Sequence, residues 1–269
     1  MLRFIAERLS RGMVLRRRLP PEFGRGELFV SPDAGLRFYR RNLAKGDAIL
    51  FKMVSELVKP GDVVWDVGAN VGLFSFASAN RATCSGQIVS IEADAWLAGL
   101  LQRSCVLAAR RGDAPVTVIP AAVSDSVGIA KLHIAQRARS SNYLEGAGGT
   151  QAGGSRGTAS VVSVTLDWLL ERLPAPSVLK IDVEGMEHRV LAGASSVLAK
   201  ARPVIWCEVD PVDKEEVSRV LREHRYDLFY ANQHPAQRQP LASAPWETLA
   251  RPQPLGPEAD LHAGQPSAA

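Results

Sequence analysis

The chain has 269 residues, 46% of them hydrophobic and 22% charged, with a formal net charge of +4. That balance suits a globular protein with a sizeable core and excludes collagen-like and charge-rich disordered chains. No apolar run reaches the ~18 residues needed to span a bilayer, the N-terminus lacks a secretory core, and the three cysteines lack disulfide-framework or metal-ligand spacing, so a cytoplasmic protein is expected.

Charge is uneven along the chain. Residues 1–41 hold ten basic and four acidic residues, leaving 22 basic against 24 acidic in the remainder, so the body is not a nucleic-acid surface. Within the first segment Leu2, Ile5, Leu9 and Met13 recur at helical spacing among Arg3, Arg8, Arg11 and Arg16 to Arg18. Two readings stand for this basic amphipathic helix. It can make weak contact with a membrane surface or an anionic substrate, or it can pack on the domain with its arginines in water.

From Lys59 onward strands and helices alternate. Pro60-Gly61 marks a turn before a first strand at Val63–Val67, and a helix begins over 74–79. Gln87–Ile91 is a second strand, 95–110 a second helix and 116–120 a third strand. "IAKLHI" and "ASVVSV" read as extended segments flanking residues 137–158, a Gly/Ser-rich stretch expected to be a mobile loop. The parallel pattern resumes with Val178–Ile181. One helical face follows through Met186, Val190, Leu191, Ala194, Val197 and Leu198, then a strand over 203–209, a helix over 213–224 and a strand at "YDLFY".

The predicted fold is a doubly wound, Rossmann-like α/β sheet, mostly parallel, in the order 3-2-1-4-5. Three regions are expected. Residues 1–46 form a basic helical and extended segment, 47–233 the main domain, and 234–269 a disordered Pro/Ala/Gln-rich tail.

Two stretches carry the chemistry. "DVGANVG" (Asp66 to Gly72) and "KIDVEG" (Lys180 to Gly185) both end predicted strands, and that strand order makes those two strands neighbours at the switch point. Gly68 and Gly72 allow close backbone approach to a ligand, and Glu92 ends the second strand, where an acid accepts hydrogen bonds from ribose hydroxyls. Asn70 stands where a dinucleotide turn carries glycine, and Asp66 would repel a pyrophosphate. A cationic nucleoside cofactor, S-adenosylmethionine, is favoured over NAD.

"VVWDVGANVGLFSFASA", "AAVSD", "VTLDWLL" and above all "LKIDVEGMEHRVLAGA" resemble the FkbM-type methyltransferases. The resemblance runs over about residues 47–230. It implies a class I methyltransferase fold and S-adenosylmethionine-dependent O-methylation of a small hydroxylated molecule, a sugar or a polyketide. It further implies that Asp66, Gly68, Ala69, Asn70 and Gly72 line the methionine portion of the cofactor. Glu92 would hold the ribose, and Ser124 and Asp125 would lie beside the adenine. Asp182, Glu184 and Glu187 match the family's acidic cluster near the reacting methyl.

Among these acids Asp182 is the favoured general base, because it ends its strand opposite the glycine turn. Glu184 and Glu187 have a second reading as acids complementing a helix dipole, and His188 should face solvent. Asp182, Glu184 and Glu208 have oxygen ligands suited to magnesium or calcium, but no further ligand completes the set and no metal is expected. Tyr143 and His133 border the loop and are candidates to touch substrate. Two other functions compete: a non-catalytic nucleoside-binding module, and a nicotinamide-dependent oxidoreductase.

Overall fold

A computed structural model describes residues 2–109, 112–147 and 153–254. The chain enters through α1 (Leu2–Leu9), a hairpin of β1 (Leu15–Arg18) and β2 (Glu27–Val30), and α2 (Ala48–Leu57). The central sheet then begins with β3 (Val63–Val67), α3 (Leu73–Ala82), β4 (Gln87–Ile91), α4 (Ala95–Ala109) and β5 (Val116–Ile119). A smaller sheet interrupts it, made from β6 (Ala122–Val123), β7 (Gly128–Ala135), β8 (Tyr143–Leu144) and β9 (Ser155–Val164). The chain returns through α5 (Leu166–Leu170), β10 (Val178–Ile181), α6 (Glu187–Ala192), β11 (Val204–Glu208), α7 (Lys214–Glu223), β12 (Tyr226–Tyr230) and β13 (Glu247–Pro252).

The central sheet runs β5-β4-β3-β10-β11-β13-β12, with β13 antiparallel to both neighbours and the other pairings parallel. Its inner parallel strands β3, β4, β10 and β11 are near-continuous apolar runs because both faces are covered. Alternation divides them. Val64, Ile88 and Val178 join the core under α2, α3 and α4, while Trp65, Val89 and Leu179 join the core under α5, α6 and α7. The predicted order 3-2-1-4-5 is therefore present, with β3 and β10 adjacent at the switch point.

Two expectations need correction. The tail predicted as disordered supplies β13, which sits between β11 and β12 and pairs from Ile205↔Ala250 to Glu208↔Glu247. Thr248, Leu249 and Ala250 are fully buried, and the Trp206 indole donates to Glu247 Oε2 at 2.9 Å. Only three residues carry the burial, and both flanks are polar or proline, so no local pattern announces the strand; its stability comes from ladders on both edges. Residues 255–269 lie outside the described residues. The predicted loop is also largely built. It contains a 3₁₀ turn at Arg139–Ser141, β8 and the first residues of β9, with 148–152 outside the described residues.

The helix read as continuous through Leu198 breaks at Gly193, which caps α6, before a π-helical turn at Val197–Ala201. The N-terminal segment shares the main core: Leu19, Phe23, Leu28 and Val30 are buried in it, and Phe23 packs on Phe51 at 5.2 Å between ring centroids. Glu7 and Ser10 are buried, whereas Ile5 is 46% and Leu9 72% exposed. Among the described residues no helix is long and apolar enough to cross a membrane.

Candidate active site

The backbone itself brings the two motifs together. β10 pairs with β3 so that Ile181 lies opposite Val67, and the amide of Asp182 donates to the Val67 carbonyl at 3.1 Å. Gly68 follows with φ +74°, and a Cβ there would stand 1.8 Å from the Asp182 carbonyl oxygen. No side chain fits. The amides of Gly68 and Ala69 both donate to the Ile91 carbonyl, at 2.9 and 3.1 Å, which ties the turn to the end of β4. Asn70 takes a left-handed conformation, φ +53°, tolerable for Asn and rare for most residues.

A cavity of about 430 Å³ opens above this junction, within the range of small-molecule sites. Gly68, Asn70 and Glu92 line it on one side and Asp182, Glu184 and Glu187 on another. Glu92 is fixed by two backbone donors, Asn70 N to Oε2 at 2.7 Å and Asp94 N to Oε1 at 2.8 Å. Burial pushes its pKa up to about 7 against those two hydrogen bonds. Asn70 presents a buried Oδ1 with no hydrogen-bond partner. A ligand donor at that point satisfies an acceptor that is otherwise costly to bury.

Other expected residues lie elsewhere. Asp66 is fully buried beneath the turn, accepting from Ser75 Oγ at 2.6 Å and lying 3.2 Å from Lys180 Nζ. Gly72 is a packing position, where a Cβ would come within 2.4 Å of Leu101, and neither it nor Ala69 lines the cavity. Ser124 and Asp125 also fall outside it; Ala121, Ala122 and Val123 line it instead, because at β6 the chain already turns into the second sheet. His188 stands off the cavity with Nδ1 2.7 Å from Asp213 Oδ2. His133 stacks on Tyr143, and of the two only Tyr143 lines the cavity.

Lys180 is the keystone beneath the acids. Its ammonium donates to the Gly68 carbonyl at 2.9 Å and lies 3.3 Å from Asp182 Oδ2. Burial opposes that charge, but Asp66, Asp182 and Glu208 together hold its pKa above the ordinary range. Around it the carboxylates crowd. Burial, then the charges of Asp182 and Glu187, raise Glu184 to about 8. The charge of Asp182, then burial, raises Glu208 to about 8, and burial raises Glu187 to about 7 although Gly185 N donates to it at 3.1 Å. Glu184 is also held at φ +55°, an uncommon backbone state for its type, of the kind that collects at functional sites. Among the described residues no group of three or more His, Cys, Asp or Glu is arranged to hold a metal ion.

Sequence reasoning missed the residues that close the cavity. Asp47 reaches it from the start of α2 and pairs with Arg37 at 3.0 Å. Arg139 bridges Asp94 at 2.5 Å and Asp33 at 2.9 Å, with Asn142 donating to Asp94 at 2.8 Å. The polar signal was present in "RARSSN", but nothing local pairs it with an acid some 45 residues earlier.

Glu92→Ala should weaken S-adenosylhomocysteine binding by ~1.5–3 kcal/mol, the cost of losing hydrogen bonds to a charged group; calorimetry reads this directly, and parental affinity would show that Glu92 does not hold the cofactor. The raised acids also set a stability trend. Glu184, Glu187 and Glu208 hold protons in the fold that the unfolded chain, near 4.5, releases. Their stabilisation is thus full below about 4.5 and lost as pH rises through 7 to 8. The cofactor-free melting temperature should fall from pH 5 to pH 8.5, and Glu208→Gln should flatten the fall.

A seven-stranded sheet with one antiparallel strand beside the last, and a ligand cavity at the β3–β10 switch point, defines the class I S-adenosylmethionine-dependent methyltransferase fold. The chain matches the methyltransferase FkbM domain over residues 66–228 and belongs to that family. It is similar to a hexuronic acid methyltransferase, AglP, of Haloferax volcanii, 28% identical over 183 residues covering 66% of this chain and 69% of that protein. Among solved structures, methyltransferase FkbM from Methylobacillus flagellatus KT aligns over 74% of this chain and 49% of its own, at 13% identity and a TM-score of 0.43. The precorrin-6y C5,15-methyltransferase of Geobacter metallireducens GS-15 aligns over 77% and 84%, at 13% identity and a TM-score of 0.42. Family and fold imply S-adenosylmethionine as the methyl donor.

Proposed function

We propose that the protein is an O-methyltransferase that methylates a hydroxyl of a small acceptor, of sugar or polyketide type. The supporting observation is the acidic wall of the cavity, where Asp47, Asp182 and Asp210 gather beside the glycine turn and the unpartnered Asn70 Oδ1. Such a wall attracts the sulfonium and ammonium charges of S-adenosylmethionine and repels the pyrophosphate of a nicotinamide dinucleotide. When bound, the cofactor supplies an electrophilic methyl group.

The chain's own residues do the rest. Glu92 accepts hydrogen bonds from the ribose, and Asn70 Oδ1 accepts one from a donor of the cofactor. Glu184, which lines the cavity at a left-handed φ of +55° and is raised to about 8 by burial and by the charges of Asp182 and Glu187, takes the acceptor's hydroxyl proton as general base. Asp182, with Lys180 3.3 Å away, helps to set the field in which that proton moves, and Glu187 shapes the loop through its bond from Gly185 N. Asp182, the base favoured from sequence, thus becomes a positioning residue.

The test is transfer of tritium from S-[methyl-³H]adenosylmethionine to a panel of hydroxylated acceptors. Hexuronic acids come first in that panel, because the Haloferax volcanii relative is a hexuronic acid methyltransferase. Label on an acceptor oxygen supports the reading. Label on carbon or nitrogen contradicts it, and cofactor binding without transfer to any acceptor favours the binding-module alternative.

A further inference from the structure

Beside the acidic cavity lies a second one of about 340 Å³, and Arg37, Ser140 and Ser141 line both. Its character is opposite. Arg3, Arg37 and Arg137 contribute to its wall, and Glu7 is the one carboxylate among its lining residues. Arg3 Nε lies 2.9 Å from Glu7 Oε1, Arg137 Nε lies 3.8 Å from the same oxygen, and Arg37 Nε lies 3.0 Å from Asp47 Oδ1 on the acidic cavity's wall. Three guanidiniums therefore share two carboxylates, only one of which lies in this cavity.

The arginine side chains remain 72%, 39% and 43% exposed for Arg3, Arg37 and Arg137. Pairs so exposed contribute ~0–1 kcal/mol each, which gives stability little reason to gather three like charges around one hollow. Each guanidinium carries five donors in a fork that fits carboxylate or phosphate oxygens. Arg37 also connects the two sites electrically, since its charge acts on Glu184.

We propose that the second cavity receives an anionic group, a carboxylate or phosphate, carried by the methyl acceptor, so that the acceptor spans both cavities with its hydroxyl on the acidic side. This rests on the methyltransferase reading. Arg137 and Arg3 then select acidic acceptors, and Arg37 marks the passage between anchor and reaction centre.

The experiment is calorimetric titration of the full chain saturated with S-adenosylhomocysteine, using glucuronate, glucose 6-phosphate, glucose and inorganic phosphate as probes. At least one charged sugar should bind ~10-fold or more tightly than glucose, the size of a charge-assisted hydrogen bond, and more tightly than free phosphate. Arg137→Gln should erase most of that preference, Glu7→Gln should increase it, and both variants should keep the parental S-adenosylhomocysteine affinity, which also reports folding. Equal binding of glucose and the charged sugars, no sugar binding at all, or phosphate matching the sugars overturns the proposal while the methyltransferase reading stands. Failure of the parent to bind S-adenosylhomocysteine overturns both.

Discussion

Glu184→Gln lowers kcat by ~10²- to 10⁴-fold and leaves S-adenosylhomocysteine affinity within about twofold, as expected for loss of a general base that does not hold the cofactor. The parental pH profile carries the same signature. A base must be ionised to act, so with burial and neighbouring acids holding Glu184 near 8, kcat rises with pH through that value and levels above it. In Asp182→Asn, one of the charges that raise Glu184 is gone, and the midpoint moves down. Stopped-assay rates from pH 6 to 9.5 for the parent and both variants separate the roles. A Glu184→Gln enzyme with parental kcat would show that the acceptor oxygen needs no base here, and a midpoint unmoved by Asp182→Asn would break the link between the two acids.

Gly68→Ala is the second large effect. The new Cβ would sit 1.8 Å from the Asp182 carbonyl oxygen, at a backbone φ of +74° that alanine resists. Overpacking of ~1–3 kcal/mol and a left-handed penalty of ~1–2 kcal/mol together put the destabilisation at ~2–5 kcal/mol. The strain has a specific address. Relief requires the end of β10 to move away from β3, carrying Asp182 with it, so the acid wall and the turn separate. Urea unfolding should show the lost stability, and the variant should bind S-adenosylhomocysteine at least ~10-fold more weakly than Gly99→Ala, a glycine whose Cβ would meet nothing within 4 Å. Equal affinity in the two variants would mean that the β3–β10 contact does not shape the pocket.

What could be read from the sequence was what is local. Val63–Val67, the glycine turn and the helix after it announce themselves within twenty residues, and Val178–Ile181 with its acids does so again; the parallel order then forces the two to meet. Glu92 was legible for the same reason, as the residue after a short apolar strand. β13 was not, because Thr248, Leu249 and Ala250 are held by partners some 20 to 45 residues earlier. Arg139 escaped likewise, buried in a stretch rich in small residues, its acids supplied by Asp33 and Asp94. Ser124 and Asp125 were displaced from the cavity by one and two residues past Val123, where the chain has become part of the second sheet.

Periodicity misled once in a useful way. Ile5, Leu9 and Met13 recur as a regular apolar stripe, which ordinarily faces a core, yet all three are exposed while Glu7 is buried. Glu7 pairs with Arg3 at 2.9 Å and lies 3.8 Å from Arg137 Nε, so its burial comes with ionic partners.

The central claim is that the turn holding Asn70 and the acids ending β10 form one pocket for a cationic nucleoside cofactor. Calorimetric titration with S-adenosylhomocysteine, with NAD as the control ligand, tests it most directly. Micromolar binding of the first and none of the second is the predicted result, and binding of NAD with no binding of S-adenosylhomocysteine would contradict it.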